Sequence, residues 1–295
     1  MFTLAHLSDP HLAPLPAPGV SELLNKRLTG YLNWVCGRHR IHRRDVLDRL
    51  VADAKAAGAD HTAVTGDLAN ISLKQEFARG RAWLESLGAP ADVTVIPGNH
   101  DAYVRAAAHD AERHWADYMR NDEVGRAISF PFVRRRGQVA LIGTTTAVPT
   151  APFMATGWLG ADQLRRLASM LDALKNENLF RVVLIHHPPV SPREHSKLLL
   201  DAPDFLKVIA EHGAELILHG HDHVHMLNWL KTPDGRVAAI GVPSASSAPG
   251  VAKDAAAYNL YRIGGAPGAW QCEMISRAIA QDGSVAEIRR LNLFS

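Results

Sequence analysis

Phe2-Thr3-Leu4-Ala5-His6-Leu7-Ser8-Asp9-Pro10-His11 opens the chain, an apolar run that stops on a carboxylate and an imidazole two residues apart. Runs this short and this apolar read as strands, and the same grammar recurs downstream. His61–Thr65 leads into Gly66-Asp67, and Val93–Ile96 into Gly98-Asn99-His100-Asp101. Val182–Ile185 leads into His186-His187-Pro188, and Leu216–Leu218 into Gly220-His221-Asp222-His223. Each polar cluster stands at the carboxyl end of a strand, the edge where open α/β sheets build their sites. Asp9 and His11, at i and i+2, are expected on the same side of an extended chain.

Between these strands, and a further one at Val139–Thr144, helical periodicity covers Asp45–Ala57, Leu73–Leu87, Arg105–Met119, Ala161–Leu174 and Pro203–Glu211. Asp45 and Ser72 are candidate N-caps, and Gly58, Gly88 and Gly213 stand where C-terminal glycines belong. Such alternation implies a layered α/β domain. The tail changes character: Met226–Lys231, Val237–Gly241, Tyr258–Ile263, Trp270–Ile279 and Val285–Asn292 read as strands joined by turns at Pro233-Asp234-Gly235 and Gly264 to Gly268. They are expected to form a second, more antiparallel sheet packed on the first. With no internal repeat or low-complexity linker, residues 1–295 read as a single domain.

One connection is too long for this scheme. Leu12–Arg44 begins Pro-rich, carries Leu23, Leu24, Leu28, Tyr31, Leu32 and Trp34 at helical spacing, and sets Lys26, Arg27, Arg38, Arg40, Arg43 and Arg44 against Glu22. It reads as a basic, apolar insert at about 12–44 that caps the site or rests on a membrane surface, its cations suited to a second phosphate.

The bulk numbers narrow the field. A formal net charge of +2 argues against a nucleic-acid binder, and 47% hydrophobic with 21% charged residues is ordinary globular composition. Cys36 and Cys272 have neither metal nor redox spacing and read as unpaired thiols in a reducing compartment. No signal peptide or bilayer-spanning run is readable, so a cytoplasmic location is the default. Histidine, at 16 residues, is the compositional oddity.

Alone, an Asp-x-His or a strand-end Asp is more often a turn former or a cap, and a His-His pair is more often core or surface. Five such clusters in order, most beside Gly or Pro, point to a shared site. Carboxylate, amide and imidazole donors suit a pair of divalent ions. In two-metal hydrolases the ions lie about 3.5–4 Å apart; a carboxylate spans that gap most readily, and Asp67 is the candidate bridge.

The ordered set Asp9-x-His11, Gly66-Asp67, Gly98-Asn99-His100-Asp101, His186-His187-Pro188 and Gly220-His221-Asp222-His223 resembles the calcineurin-like metallophosphoesterase superfamily over roughly residues 4 to 225. The pairing of His-His-Pro-Pro with Gly-His-x-His resembles its cyclic nucleotide and glycerophosphodiester phosphodiesterase branch. The resemblance implies an α/β fold, a four-layer αββα sandwich of two packed mixed β-sheets with flanking helices. It implies two divalent metal ions (Mn, Fe, Zn or Co), one held by Asp9, His11, Asp67 and His223, the other by Asp67, Asn99, His186 and His221. It also implies that His100 contacts the phosphate and protonates the leaving oxygen, that Asp101 orients His100 or its loop, and that His187 supports the site or faces substrate.

Of the remaining histidines, His219 is a candidate supporting residue and His6 a core residue, while His39, His42, His109, His114, His195 and His212 are expected at the surface. The segment Ser244–Val251 reads as a loop at the site mouth. The leading expectation is hydrolysis of a small phosphorylated substrate, a phosphodiester. The competing ones are a pyrophosphatase for a nucleotide-sugar lipid precursor of the UDP-diacylglucosamine type and a non-catalytic scaffold. No nucleic-acid partner is expected; peripheral membrane contact through the insert and a homo-oligomer are.

Overall fold

The apolar runs pair into two six-stranded sheets in a computed structural model that describes residues 1–122, 128–232, 235–251 and 253–294. The strands are β1 (Phe2–Leu7), β2 (His61–Val64), β3 (Val93–Val95), β4 (Phe132–Arg136), β5 (Val139–Gly143), β6 (Phe180–Leu184), β7 (Leu216–His219), β8 (Met226–Thr232), β9 (Gly235–Gly241), β10 (Ala257–Ala266), β11 (Ala269–Ile279) and β12 (Val285–Phe294). The helices are α1 (Arg27–Asn33), the single turn α2 (His39–Ile41), α3 (Arg44–Ala56), α4 (Lys74–Leu87), α5 (Asp110–Trp115), α6 (Ala161–Asn176) and α7 (Ala202–His212). One sheet has the order β12-β11-β10-β1-β2-β3, the other β4-β5-β6-β7-β9-β8.

Alternation along the strands sets the layers. In β6, Val182 and Leu184 face the core shared between the sheets, while Val183 turns outward to Leu167 and Leu171 of α6 and Phe205 and Ile209 of α7. β7 repeats this with Leu216 and Leu218 inside and Ile217 outside. On the far side α3 buries Val46, Leu47 and Leu50 against the first sheet. The result is the four-layer αββα sandwich with mixed sheets.

Several expectations need correction. The tail strands do not build a second sheet of their own. β10, β11 and β12 extend the edge of β1 antiparallel, whereas β9 joins β7 parallel and β8 folds back on β9. The first sheet is therefore parallel over β1-β2-β3 and antiparallel over β10-β11-β12, while the second has a parallel centre between antiparallel margins, because local pattern fixes which face is apolar but not which edge a strand joins. β4 escaped notice because Arg134, Arg135 and Arg136 mask it; the buried Arg134 guanidinium donates to the carbonyls of Pro90, Val93, Asp117 and Arg120. The helix expected over Arg105–Met119 is broken into α5 between two 3₁₀ turns. Ser72 does not cap α4: it has φ 57°, its hydroxyl bonds the His100 carbonyl, and Glu76 instead accepts the Leu73 N–H. Asp45 lies inside α3, paired with Arg43. The turn expected at Pro233-Asp234-Gly235 falls partly outside the described residues.

The insert forms a 3₁₀ turn at Val20–Leu23, then α1, a wide π turn at Trp34–Arg38, and α2. Among the described residues no helix is long and apolar enough to cross a membrane. Cys36 and Cys272 are free thiols.

Candidate metal centre

The carboxyl ends of β1, β2, β3, β6 and β7 converge, and with them the donor atoms. One group comprises Asp9, His11, Asp67 and His223, whose candidate ligand atoms all lie within 4.8 Å of one another; a second comprises Asp67, His186 and His221 under the same limit. Asp67 belongs to both. Its Oδ2 lies 3.8 Å from His11 Nε2 and 3.4 Å from His186 Nε2, while its Oδ1 accepts the His100 N–H at 2.7 Å. Asn99 Oδ1 completes the second group, 3.1 Å from His186 Nε2 and 2.9 Å from His221 Nδ1.

Turns rather than extended strands aim these groups. Asp9, His11, Asp67, His221 and His223 all have positive φ, between 37° and 68°, a region that costs a non-glycine residue about 1 kcal/mol or more. The reading of Asp9 and His11 as two positions on an extended strand is thus replaced. The chain turns after Leu7 and is tied down by Asp9 N–H to Gly66 O and His11 N–H to Asp67 O, each 3.0 Å.

Carbonyls fix the imidazole tautomers. His11 Nδ1 bonds Ala69 O at 3.1 Å, His186 Nδ1 bonds Thr65 O at 2.6 Å, and His221 Nε2 bonds Lys197 O at 3.0 Å. A carbonyl only accepts, so each of these nitrogens carries a proton and the other ring nitrogen is the one turned inward. His186 Nε2 then faces two oxygens that only accept, Asp67 Oδ2 and Asn99 Oδ1, an arrangement that calls for positive charge, a proton or a cation, between them. The electrostatics agree. Burial alone would lower the His186 pKa, yet the Asp67 carboxylate raises it to about 10. Burial likewise works against ionised Asp9, but His223 holds its carboxyl well below the usual range. The donor set fits a pair of divalent cations: mixed carboxylate, amide and imidazole, outer hydrogen bonds on the ligating rings, and one shared carboxylate.

His100 is half-buried at the cleft. Its Nδ1 bonds Asn70 O at 2.5 Å, its ring stacks on Tyr103 at 5.4 Å between centroids, and its Nε2 faces the cleft. Burial lowers its pKa to about 4, with Arg38 acting in the same direction. Asp101 does not touch the His100 ring. Its carboxylate accepts from Asp67 N and Ala69 N, both at 2.8 Å, and from Gly98 N at 2.9 Å, clamping the two donor turns together. Burial and the adjacent Asp67 push its pKa up to about 8, against the Ala69 and Gly98 N–H donors.

His187 does not face substrate. It is fully buried, with Nδ1 on the Thr146 hydroxyl at 2.7 Å and Nε2 on Ala155 O at 3.1 Å, and its ring backs His221 at 4.2 Å between centroids. His42, expected at the surface, is buried beside the donors, 4.4 Å from His11 between ring centroids. Its Nδ1 bonds Ser246 Oγ at 2.9 Å. His212 is half-buried and pairs with Asp172. His6 is buried as expected, and His219 packs on Gly241. The Ser244–Val251 loop does border the site: Ser244 Oγ donates to Asp9 O at 2.6 Å.

The donors open into a cleft of about 810 Å³, whose walls include Lys26, Thr29, Asn33 and Arg38 of the insert together with Tyr103, Met154, Arg193 and Lys197. The insert is therefore a wall of the site, and it is the cationic and polar face that does the lining. Its polar side chains line the cleft, while Leu24, Leu28 and Leu32 point away, 80%, 45% and 52% exposed. Neither Arg38, which sequence marks only as one of six cations of the insert, nor His42, expected at the surface, stands at a strand end, so no local signal ties either to the donors.

Two sheets whose parallel strands present such donors on one edge define a metallophosphoesterase fold, and the chain belongs to the calcineurin-like phosphoesterase family, whose model matches residues 2–225. A curated relative from Synechococcus, named "probable cyclic nucleotide phosphodiesterase", is 29% identical over 173 residues, covering 57% of this chain and 60% of the relative. This chain thus matches less than two thirds of that relative's length. Among solved structures, a dimetal phosphatase from Danio rerio aligns over 99% of this chain and 98% of its own, with TM-score 0.60 and 12% identity. A purple acid phosphatase from yellow lupin (Lupinus luteus) aligns over 99% of this chain and 53% of its own, with TM-score 0.58 and 11% identity. At these identities the structural likeness concerns the fold.

Proposed function

We propose that the chain is a dinuclear metal-dependent phosphodiesterase that hydrolyses a small organic phosphodiester of the cyclic nucleotide or glycerophosphodiester type. The observation that carries this reading is the convergence of two donor groups on the single carboxylate of Asp67. Asp9, His11, Asp67 and His223 would hold one divalent ion, and Asp67, Asn99, His186 and His221 the other. Such a pair, when bound, neutralises phosphoryl oxygens and supplies a hydroxide nucleophile near neutral pH.

The remaining chemistry belongs to the side chains. The Asn70 carbonyl fixes the His100 ring with Nε2 toward the cleft, so Nε2 is the atom that handles the proton of the departing oxygen. An anionic phosphoryl group beside it favours the protonated ring, opposing the burial that depresses its pKa. Asp101 is a positioning residue. Tyr103 and Met154 offer apolar surface to the organic group.

The polar inner face of the insert favours a compact, water-soluble diester over an acylated pyrophosphate. The outward Leu24, Leu28 and Leu32 support a second role for it, peripheral contact with a lipid surface, testable by cosedimentation with anionic vesicles. The deciding experiment is a panel of bis(p-nitrophenyl) phosphate, cyclic AMP, glycerophosphocholine and a UDP-linked sugar lipid with protein loaded with Mn²⁺. Turnover of the diesters is expected. Turnover of the sugar lipid alone would move the assignment to a pyrophosphatase, and no turnover with Mn²⁺, Fe²⁺, Co²⁺ or Zn²⁺ would favour a scaffold.

A further inference from the structure

The insert carries a guanidinium into the donor cluster. Arg38 closes the π turn Trp34–Arg38, a helical irregularity common at functional sites, and both flanks of that turn are anchored. Upstream, Arg27 donates Nε to Ile71 O at 3.0 Å and Nη2 to Ser72 O at 2.5 Å. Downstream, Arg43 N–H bonds Ser246 O at 2.9 Å and Ala248 N–H bonds Ile41 O at 2.8 Å. Arg38 is thereby held over the donors rather than left free in solvent.

Its partners are unusual for a guanidinium. Nη1 lies 3.2 Å from His100 Nε2, and Nη2 lies 3.1 Å from His11 Nε2 and 3.3 Å from His42 Nε2. All three acceptors are imidazole nitrogens, and among the described residues Arg38 forms no ion pair with a carboxylate. Asp67 and Asp9 lie near enough to favour its charge, but among the described residues neither forms a hydrogen bond with it, and a planar fork of N–H donors matches a phosphoryl oxyanion. Moreover, His11 Nε2 has one lone pair. A metal ion bound by Asp9, His11, Asp67 and His223 would take it, leaving the Arg38 Nη2–H without that acceptor.

We infer that Arg38 binds a non-bridging oxygen of the phosphoryl group under attack, which makes the insert part of the catalytic site and not only its cover. This inference rests on the metal-centre reading above. It adds a specificity rule: the reacting phosphorus must present an anionic oxygen toward the insert, next to the leaving-group side served by His100. His42, anchored on Ser246, is the resting partner that keeps Arg38 in place between turnovers.

The test uses calorimetric titration of Mn²⁺ and then of inorganic phosphate into the wild-type protein, Arg38→Met and Arg38→Lys, with thermal melts on all three. Removing one charge-assisted contact should weaken phosphate binding about 10- to 100-fold in Arg38→Met, with a smaller loss in Arg38→Lys, which keeps the charge without the fork. Mn²⁺ stoichiometry should be unchanged and its affinity equal or tighter. Phosphate binding within twofold of wild type in Mn²⁺-loaded Arg38→Met overturns the inference while leaving the metal centre intact. Loss of Mn²⁺ binding in a folded Arg38→Met also overturns it, since Arg38 would then be shaping the donors. Should Arg38→Met fail to fold, Arg38→Lys decides by the same phosphate criterion. A wild-type protein that binds no Mn²⁺ removes the metal-centre reading, and this inference with it.

Discussion

Gly98→Ala is the most direct test of how closely the two donor turns are packed. A β-carbon at Gly98 would stand 2.2 Å from Asp67 Oδ1, 2.6 Å from Asp67 N and 2.7 Å from His186 Cε1. Contacts below 3.0 Å are essentially never tolerated, so the Asp67 carboxylate must retreat by about 1 Å. It has nowhere to go cheaply: Oδ1 accepts the His100 N–H at 2.7 Å, and the Asp67 backbone N–H is held by Asp101 at 2.8 Å. Overpacking of this kind costs about 1–3 kcal/mol, and the strained His100 hydrogen bond adds about 1 kcal/mol. The melting temperature should fall by roughly 5 °C. Displacing a bridging carboxylate by about 1 Å should lower turnover about 100-fold. The assays are thermal melting, Mn²⁺ titration calorimetry and hydrolysis of bis(p-nitrophenyl) phosphate. Gly264→Ala, whose β-carbon meets nothing within 4 Å, is the control and should behave as wild type. If Gly98→Ala keeps wild-type Mn²⁺ affinity and turnover, the placement of Asp67 between the two donor groups is wrong.

Three further outcomes are expected. Asp67→Asn removes the shared anionic oxygen, so the Mn²⁺ stoichiometry should fall from two toward one and turnover by about two orders of magnitude or more; full activity would refute the bridge. His100→Gln should retain both ions but lower kcat by about 10²–10⁴ for substrates with poor leaving groups, and much less for p-nitrophenyl esters, whose departure needs little proton assistance; an equal loss on both would remove the proton-handling role. Gly30→Val places a β-carbon 2.5 Å from Ile71 Cγ2 and 2.7 Å from the Tyr103 hydroxyl. This should lift α1 off the cleft wall and raise KM while Mn²⁺ affinity stays unchanged; an unaltered KM would mean that α1 does not shape substrate binding.

Legibility differed from residue to residue for physical reasons. Asp67, Asn99 and His186 could be read because each stands within a few residues of the end of an apolar run, which carries it to the sheet edge. For His187 local sequence leaves two roles open, support of the site or contact with substrate, and the Thr146 hydroxyl and Ala155 carbonyl that engage both its nitrogens and favour the first come from a loop distant in sequence. The leucines of the insert marked a helix face correctly, yet that face looks outward, since Gly30 and Arg27 seat the opposite side on Ile71, Ser72 and Tyr103.

The linear order of residues, by itself, determined the layered α/β class, the strand ends and the chemical kinds of donor, because those depend on local periodicity and on what stands next to each run. Only the tertiary structure decided the rest: the division of the tail strands between two sheets, the burial of His42, the reach of Arg38 into the cluster, and the aim of the donors. The last point shows why. Asp9, His11, Asp67, His221 and His223 adopt left-handed backbone conformations that none of them favours locally. Those turns hold only because bonds such as Asp9 to Gly66, His11 to Asp67 and Asp101 to three backbone N–H groups reach across the chain to offset the strain.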